Sequence, residues 1–358
     1  HGVRRQRQMC IRDRTKRFSP GTVESLLDQP WFSYADVPYR IASHEELVRD
    51  PKDTITYDTA AADRSAERVK EIGADGKLLW GPDREVYLVS LLEKLLVPAL
   101  AKLSSYVPNG GIWMNTQRPE WNDANNALVG HGLSMVTLYQ LRSYLDFLKN
   151  LVDEAAMSDI QLSTEVVGWL TRITAILRGH ADRPNRDLNP RERKTFMDEL
   201  GRASFEYRSR VYAGGFSGST QIGTATITDL FEVALDHLDT EIRRSRRPDG
   251  LYHSYNLVEF RADGSEATIS HLPEMLEGQV AVLSSGLLSA EERAEVVAAL
   301  FASTMYRPDQ RSFMLYPAPR LPSFLDKNVV PSPAVEANPL LNSLLAAGDT
   351  SVVVNDAE

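Results

Sequence analysis

The sequence is short of cysteine, of long apolar runs and of positive charge. Cys10 is the one cysteine among 358 residues, so no intrachain disulfide can form, and the chain after it has no thiol for nucleophilic catalysis. No paired cysteine and histidine spacings indicate a structural zinc site, and we expect no metal. No stretch approaches the roughly 18 apolar residues of a membrane span, and the basic start is not followed by the apolar core of a signal peptide.

The charge balance and the length limit the class of protein further. A net charge of −9 argues against nucleic acid as a partner, because the phosphate backbone attracts basic surfaces. With 358 residues, 42% of them hydrophobic, the chain can bury a sizeable core as one large domain or two ordinary ones. We therefore expect a cytoplasmic, bacterial protein that binds neither nucleic acid nor a membrane. The sequence does not predict the oligomeric state.

Both ends of the chain are unusual. Residues 1–14 resemble translated sequencing-adapter read-through, a contaminant of metagenomic reading frames. The alternative is a basic, disordered tail that binds anions, since residues 1–17 hold seven Lys or Arg and one Asp. Either interpretation places residues 1–17 outside the folded protein. The other end, Val354 to Glu358, stops without a helix cap or a polar tail, so we expect a fragment of a longer polypeptide.

Most of the chain has the apolar spacing of amphipathic helices. Residues 18–57 lack that spacing and are interpreted as an irregular covering segment, and residues 58–358 as one helical domain. Asn189 and Pro190 supply a cap and a first-turn proline, and Ser289 with Glu292 predicts a capping box. Helices are predicted over 59–72, 83–105, 131–156, 160–178, from 190 onward, 227–246, 273–286, from 289 onward and 338–347.

The predicted fold class is all-α. Strands and helices do not alternate, so a parallel sheet is not expected, and antiparallel helical hairpins are the simplest arrangement. One exception is a small β-hairpin insertion near 251–271, where two alternating segments are joined through Asp263 and Gly264.

One stretch, residues 110–126, concentrates polar and aromatic side chains between two predicted helices. Tryptophan faces stack on sugar rings, while amides, arginine and carboxylates hydrogen-bond to hydroxyls, and loops between rigid elements are common binding sites. The stretch therefore indicates a carbohydrate site. Its candidate substrate-binding residues are Trp113, Asn115, Arg118, Trp121, Asn122, Asn125 and Asn126, with His131 just beyond, either packed or lining the pocket.

Each of these residues also has a purely structural interpretation. Asn and Asp favour turns and helix caps, so Asp123 or Asn126 could simply cap the next helix. The glycine-rich segment 214–220 could cradle a phosphate, but it lacks the lysine and the preceding strand of a phosphate loop, so a plain helix–helix connection is favoured. His253 and His271, on the predicted hairpin, are more often structural than ligand-binding.

The segment Glu120-Trp121-Asn122-Asp123-Ala124-Asn125-Asn126 resembles the Asp-Trp-Asn-Asp-Gly-x-Asn signature of the cellobiose phosphorylase family. That family belongs to the six-hairpin glycosidase superfamily, so the resemblance implies an (α/α)6 toroid, here incomplete. It also implies cleavage of an oligosaccharide or glycoside with inversion, with inorganic phosphate as co-substrate and no other cofactor. Glu120 takes the place of the catalytic aspartate as general acid, and Asp123 matches the second aspartate, a structural or sugar-binding group of the catalytic site.

Two alternatives remain open at this point. An inverting hydrolase would need a second carboxylate about 6.5–9.5 Å from the acid to activate water, and Glu274 and Glu277 are the candidates. Glutamates in a first helical turn are, however, commonly partners of the helix dipole. The other alternative is a non-catalytic helical domain that binds a glycan or supports the rest of a longer polypeptide.

Overall fold

The chain divides into two compact units, His1–Pro317 and Ala318–Glu358. The computed structural model describes residues 18–19, 21–116, 127–181, 188–318 and 321–355. Within these ranges the helices of the first unit are α1 (Thr22–Leu26), α2 (His44–Arg49), α3 (Thr59–Ile72), α4 (Leu91–Leu103), α5 (Met135–Ala155), α6 (Thr164–Gly179), α7 (Pro190–Gly214), α8 (Thr224–Arg244), α9 (Leu276–Leu283) and α10 (Ala290–Ala302).

Strands lie between these helices. They are β1 (Tyr39–Ile41), β2 (Ile55–Tyr57), β3 (Tyr106–Val107), β4 (Gly111–Trp113), β5 (Gly132–Ser134), β6 (Asp159–Ser163), β7 (Ser219–Gly223), β8 (Tyr255–Phe260), β9 (Ala267–His271), β10 (Tyr306–Arg307) and β11 (Ser312–Phe313). The segment predicted to be irregular, 18–57, thus contains α1, α2 and the β1–β2 pair.

Several helix boundaries follow from the local sequence. The side chain of Asn189 accepts hydrogen bonds from the backbone N–H groups of Arg191 and Glu192, and the N–H of Asn189 donates to the side chain of Glu192. These reciprocal bonds form a capping box, and Pro190 occupies the first turn of α7. Ser289 and Glu292 form the same arrangement at α10. These caps satisfy backbone N–H groups that a helix start otherwise leaves unpaired.

Helices α4 to α8 share one contiguous hydrophobic core. The buried stripe of α5 follows the helical period, and it packs chiefly against α8, while α6 packs against both α7 and α8. Each fully buried leucine contributes about 1.5–3 kcal/mol of transfer free energy. The stripe of α5 consists of Leu138, Leu141, Leu145, Leu148, Leu151 and Val152.

The all-α prediction is wrong, because the first unit contains a five-stranded antiparallel sheet in the order β3-β4-β5-β8-β9. One row of residues crosses it from β4 to β9, with Trp113 opposite Leu133, Leu133 opposite Asn256, and Asn256 opposite His271. The hairpin predicted near 251–271 is present as β8 and β9, but it forms one side of this larger sheet and is not a separate insertion. The chain is a mixture of helices and sheet.

The physical reason for this error is the length and position of the strands. Strands β3, β4 and β5 have two or three residues, too few for an alternating pattern to be recognised. Strands β5 and β6 run directly into α5 and α6, so their apolar residues were assigned to the first turns of those helices. The partners of this part of the chain are also distant in sequence. Just after β5, the N–H groups of Met135 and Val136 donate to the carbonyl of Ser254, which lies just before β8.

The second unit is built from short helices: α11 (Phe324–Lys327), α12 (Ser332–Glu336) and α13 (Pro339–Ala346). The side chain of Asn338 accepts hydrogen bonds from the N–H groups of Leu340 and Leu341, and Pro339 occupies the first turn. This is the cap expected for the helix predicted over 338–347. No helix in the described parts of either unit is long and apolar enough to cross a membrane.

The contact between α2 and α7 depends on Gly201. A Cβ atom at this position would lie 2.0 Å from Nδ1 of the His44 ring, which is buried and bonded through Nε2 to Asp198. We predict that Gly201→Ala lowers the free energy of unfolding by about 1–3 kcal/mol through overpacking, as measured by urea denaturation. The matched control is Gly179→Ala, at the end of α6, where a Cβ meets nothing within 4 Å. That control should be neutral or stabilising by up to about 1 kcal/mol, and equal destabilisation by both changes would contradict the packing argument.

Candidate functional site

The motif stretch, residues 110–126, begins with β4 and continues into the connection between β4 and β5, and helices α4 and α5 precede and follow these strands. Beyond the strand ends, the N–H of Met114 donates to the carbonyl of Gly132 at 2.9 Å, and the N–H of Gly130 donates to the carbonyl of Met114 at 2.7 Å. These bonds close the base of the loop. Most of the predicted site lies outside the described residues, namely Arg118, Glu120, Trp121, Asn122, Asp123, Asn125 and Asn126.

Trp113 supports the base of this loop. Its side chain is 3% exposed, and the indole N–H donates to the carbonyl of Gly130 at 3.0 Å. The rings of Phe260 and His44 contact it edge to face, with centroids 5.4 and 6.1 Å away. A buried indole with this packing has no face available for a sugar, although the sequence suggested one.

The two other described candidates at this loop are Asn115 and His131. Asn115 is partly buried, and its amide nitrogen lies 3.4 Å from the hydroxyl of Ser105, while Thr116 donates to its amide oxygen at 3.0 Å. His131 is exposed, and its backbone carbonyl accepts a bond from the N–H of Val258. Only the exposed His131 ring could reach a ligand freely.

Two glycines allow the loop base to form. Gly130 has φ of 86°, and a Cβ there would lie 2.2 Å from Cβ of Pro51. Gly111 has φ of 120°, and a Cβ there would lie 3.0 Å from the backbone of Ser134. Both positions combine a positive φ with close backbone or side-chain approach, which glycine alone accommodates.

The structure places Glu274 and Glu277 away from the loop base. Both follow the last residue of β9, which β5 and β8 separate from β4 in the sheet, and the chain leaves β9 in the direction opposite to that in which the loop leaves β4. Glu274 is half-buried and forms an ion pair with Arg247 at 3.0 Å, and Glu277 accepts a bond from the hydroxyl of Tyr255 at 2.9 Å. The described residues therefore do not bring either carboxylate to the base of the loop.

A polar cavity of about 200 Å³ lies at the end of the sheet where β9 finishes. It is bounded by the turn between β3 and β4, by the first turn of α7, by the last turns of α8 and by the ends of the β8–β9 hairpin. Its lining residues are Asn109, Met135, Arg193, Glu241, Arg244, Ser245, His253, Asn256 and His271.

Two charged residues in the sequence indicate this cavity, although apolar periodicity alone does not reveal them. Arg193 lies three residues before Phe196, and Glu241 three residues after Leu238, so both charges fall on the buried stripes of their helices. A charged residue on an apolar helix face is unusual unless it is paired.

Arg193 joins the sheet to α7. Its guanidinium donates to the carbonyls of Pro108 at 3.0 Å, Ala267 at 2.8 Å and Leu188 at 3.1 Å. A further contact reaches the side-chain oxygen of Asn109 at 3.4 Å. These acceptors compensate for the cost of burying a charge that is 9% exposed.

Glu241 joins the sheet to α8. One carboxylate oxygen accepts a bond from the hydroxyl of Tyr106 at 2.9 Å and another from the N–H of Asn109 at 2.7 Å. Burial raises the pKa of the Glu241 carboxyl, and these hydrogen bonds together with Arg244 and Arg193 act in the opposite direction. The cavity wall thus contains a carboxyl whose proton is held more tightly than in water.

The histidine pair of the cavity is oriented by Asn256. The Asn256 amide nitrogen donates to the carbonyl of Gly110 at 2.8 Å, so its amide oxygen faces Nδ1 of His271 at 2.7 Å. Since a carbonyl can only accept, Nδ1 of His271 must carry a proton, and Nε2 is the nitrogen that titrates. The His253 ring stacks on that of His271, with centroids 4.0 Å apart.

The charges around the pair disfavour its protonation. Burial, His271 and Arg247 lower the pKa of His253 to about 4, with Asp249 opposing them. Burial and Arg247 also lower the pKa of His271. Both shifts favour the neutral form of the rings, and Nδ1 of His253, which is buried, is left without a hydrogen bond among the described residues.

Trp113→Phe tests the role of the indole at the loop base. We predict a loss of about 1–3 kcal/mol in the free energy of unfolding, because the buried Gly130 carbonyl loses its donor while the aromatic packing is retained. Hydrogen exchange at the Gly130 amide should accelerate as the pairing with Met114 weakens. The control is Trp31→Phe, at an indole that is 70% exposed, where a change within about 0.5 kcal/mol is expected. Unchanged exchange at Gly130 would contradict this role.

The lowered pKa of His253 predicts acid sensitivity. Protonation is weaker in the folded than in the unfolded state, so the unfolded state binds more protons, and stability falls as pH drops from about 6.5 towards 4. His253→Gln should flatten this part of the stability curve, measured by urea denaturation at a series of pH values. A variant that loses stability over the same pH range as the original protein would show that His253 does not contribute.

Comparison with known protein families gives a match near the end of the chain. Residues 321–358 match the family described as GH149 phosphorylase insertion domain 2, and this range nearly coincides with the second structural unit, Ala318–Glu358. No curated protein sequence matches the chain. The match in residues 321–358 supports a link between this chain and a glycoside phosphorylase family.

Proposed function

We propose that the protein takes part in phosphorolysis of a glycosidic bond with inversion, and that Glu120 is the general acid. The observation that carries the proposal is the match of residues 321–358 to a phosphorylase insertion domain. An insertion domain interrupts another domain, so in this proposal the residues before 318 contribute to the catalytic part of such an enzyme. The motif resemblance at Glu120 to Asn126 points to the same chemistry independently.

In the proposed reaction the Glu120 carboxyl donates its proton to the glycosidic oxygen as the bond between that oxygen and the anomeric carbon breaks. A phosphate oxygen forms the new bond from the opposite face, giving a glycosyl phosphate and a shortened saccharide. Asp123 and the substrate-binding set bind sugar hydroxyls and faces in this scheme. That set consists of Arg118, Trp121, Asn122, Asn125 and Asn126, with Asn115 and His131 at the loop base. Inorganic phosphate is a co-substrate, and no cofactor is needed.

Phosphorolysis is preferred over hydrolysis because of what surrounds the other carboxylates. A hydrolase needs a second carboxylate to activate water, but Glu274 is paired with Arg247 and Glu277 with Tyr255. Phosphate is already an anion and needs no such base. It needs cationic and hydrogen-bonding groups to hold it.

The proposal is tested by assaying release of glycosyl phosphate from a panel of β-linked disaccharides and oligosaccharides, with and without inorganic phosphate. Glu120→Gln should lower the rate by about 10²–10⁴-fold, because it removes the proton donor and retains the shape. Glu277→Gln is the matched control and should retain the rate.

Two outcomes would overturn parts of the proposal. Turnover that is unaffected by phosphate, combined with loss of activity in Glu277→Gln or Glu274→Gln, would indicate hydrolysis. Full activity in Glu120→Gln would remove the assignment of the acid.

A further inference from the structure

We propose that Pro51 is a positioning residue for the motif stretch, and that it acts by fixing Gly130, where the chain returns from that stretch to the sheet. The inference rests on the proposed function, because the group to be positioned is the Glu120 carboxyl, ten residues before Gly130 in the sequence. Its structural basis is separate, since Pro51, Gly130 and the contacts between them belong to the described part of the chain.

Gly130 is held by three contacts of different origin. Its N–H donates to the carbonyl of Met114 at 2.7 Å, and its carbonyl accepts the indole N–H of Trp113 at 3.0 Å. Its Cα lies against the ring of Pro51, so a Cβ added here would come within 2.2 Å of Cβ and 2.6 Å of Cγ of that ring. Trp113 and Met114 belong to the start of the same β4–β5 connection, whereas Pro51 lies outside the sheet, just after α2. The proline thus fixes the loop base from outside the loop.

Pro51 is itself held in a closed segment of chain. The N–H of Asp50 donates to the carbonyl of Glu46 at 2.8 Å and so ends α2 directly before the proline. The N–H of Ala42, before α2, donates to the carbonyl of Thr54 at 3.0 Å and closes residues 42–54. The proline ring also fixes its own φ near about −65°. The ring that meets Gly130 therefore has little freedom to move away.

Residues 42–54 also contact Trp113, the other partner in the loop base. The ring of His44, on α2, lies edge to face with the indole, with centroids 6.1 Å apart. Nε2 of His44 lies 2.7 Å from Oδ1 of Asp198, which connects α2 to α7. The segment therefore contacts both residues of the hydrogen bond between Trp113 and Gly130, and it is fastened to a long helix of the core.

A fixed Gly130 matters because general acid catalysis depends on distance. The acid must come within hydrogen-bond reach of the glycosidic oxygen, about 2.6–3.2 Å, and a displacement of about 1 Å can cost about 10²-fold in rate. Because the proton is donated in the transition state, a displaced Glu120 lowers kcat and leaves substrate binding nearly unchanged. Pro51 acts in this scheme through Gly130 and does not touch the substrate.

The first test is an NMR measurement that does not depend on activity. The indole N–H signal of Trp121, the neighbour of Glu120, reports on the motif stretch and is assigned with Trp121→Phe. Pro51→Gly should shift this signal, because removal of the ring releases Gly130. Hydrogen exchange at the Gly130 amide should accelerate by about tenfold as the loop base opens more often.

The matched control is Pro82→Gly. Pro82 is exposed and lies in a turn before α4 that is closed by the N–H of Gly81 and the carbonyl of Glu85. Both changes remove a proline ring and loosen the unfolded chain to the same extent, so the comparison isolates the contact with Gly130. Pro82→Gly should leave the Trp121 signal and the exchange at Gly130 unchanged. Circular dichroism establishes that both variants are folded.

The second test is a double-mutant cycle on kcat for release of glycosyl phosphate. Pro51→Gly and Gly130→Ala should each lower kcat by about tenfold to a hundredfold, with KM within about threefold. Combined in one chain, the two reductions should fall short of their product by about tenfold, because Pro51→Gly removes the atoms that the added Cβ would meet. Backbone strain at Gly130, where φ is 86°, is the same in both backgrounds and cancels in the cycle.

An unchanged Trp121 signal and unchanged exchange at Gly130 in Pro51→Gly would overturn the inference. So would an equal shift in Pro82→Gly, or reductions in kcat that multiply fully. If the original protein forms no glycosyl phosphate, the proposed function fails, and the NMR measurements alone decide whether Pro51 positions the motif stretch. If the protein is active and Pro51→Gly retains its kcat, Pro51 does not position the acid.

Discussion

Two buried ionisable side chains, one on α7 and one on α8, hold the sheet against the helices. Arg193 bonds to the carbonyls of Pro108 and Ala267, and so connects α7 to both outer strands of the sheet. Glu241 connects α8 to β3 through Tyr106 and to the next turn through Asn109. A buried charge is strongly destabilising unless its hydrogen-bonding capacity is satisfied. The sheet can therefore occupy few positions relative to α7 and α8, and the cavity between them is a consequence of this constraint.

The same sheet positions both parts of the candidate site. Its β4–β5 connection carries the motif stretch, with Trp113 and two glycines fixing the base, while the residues before β8 and the end of β9 carry the histidine pair at the cavity. Gly110 takes part in both, since it precedes β4 and its carbonyl orients Asn256. The loop and the cavity are thus attached to one rigid element, which is what a site needs if its groups are to keep a defined geometry.

The extent to which the sequence predicted this architecture varied with the range of the interactions involved. Helix α3 was predicted with its observed limits, and the starts of α7 and α10 followed from Asn189 with Pro190 and from Ser289. These features depend on neighbours within one or two turns of the chain. The sheet was missed because β3, β4 and β5 are very short, and because β5 is joined to β8 across more than a hundred residues of chain, as in the pairing of Leu133 with Asn256. No local pattern contains that information.

The sequence by itself determined the helical segments, their caps, the excess of acidic residues and the cluster of Trp, Asn and carboxylate side chains between Gly110 and Asn126. Tertiary structure alone decided that Trp113 packs inward, that Glu274 and Glu277 have partners away from the loop base, and that Arg193, Glu241, His253 and His271 meet around one cavity. The physical reason is that the role of a side chain depends on burial and on its partners, and both are set by contacts between segments far apart in the chain.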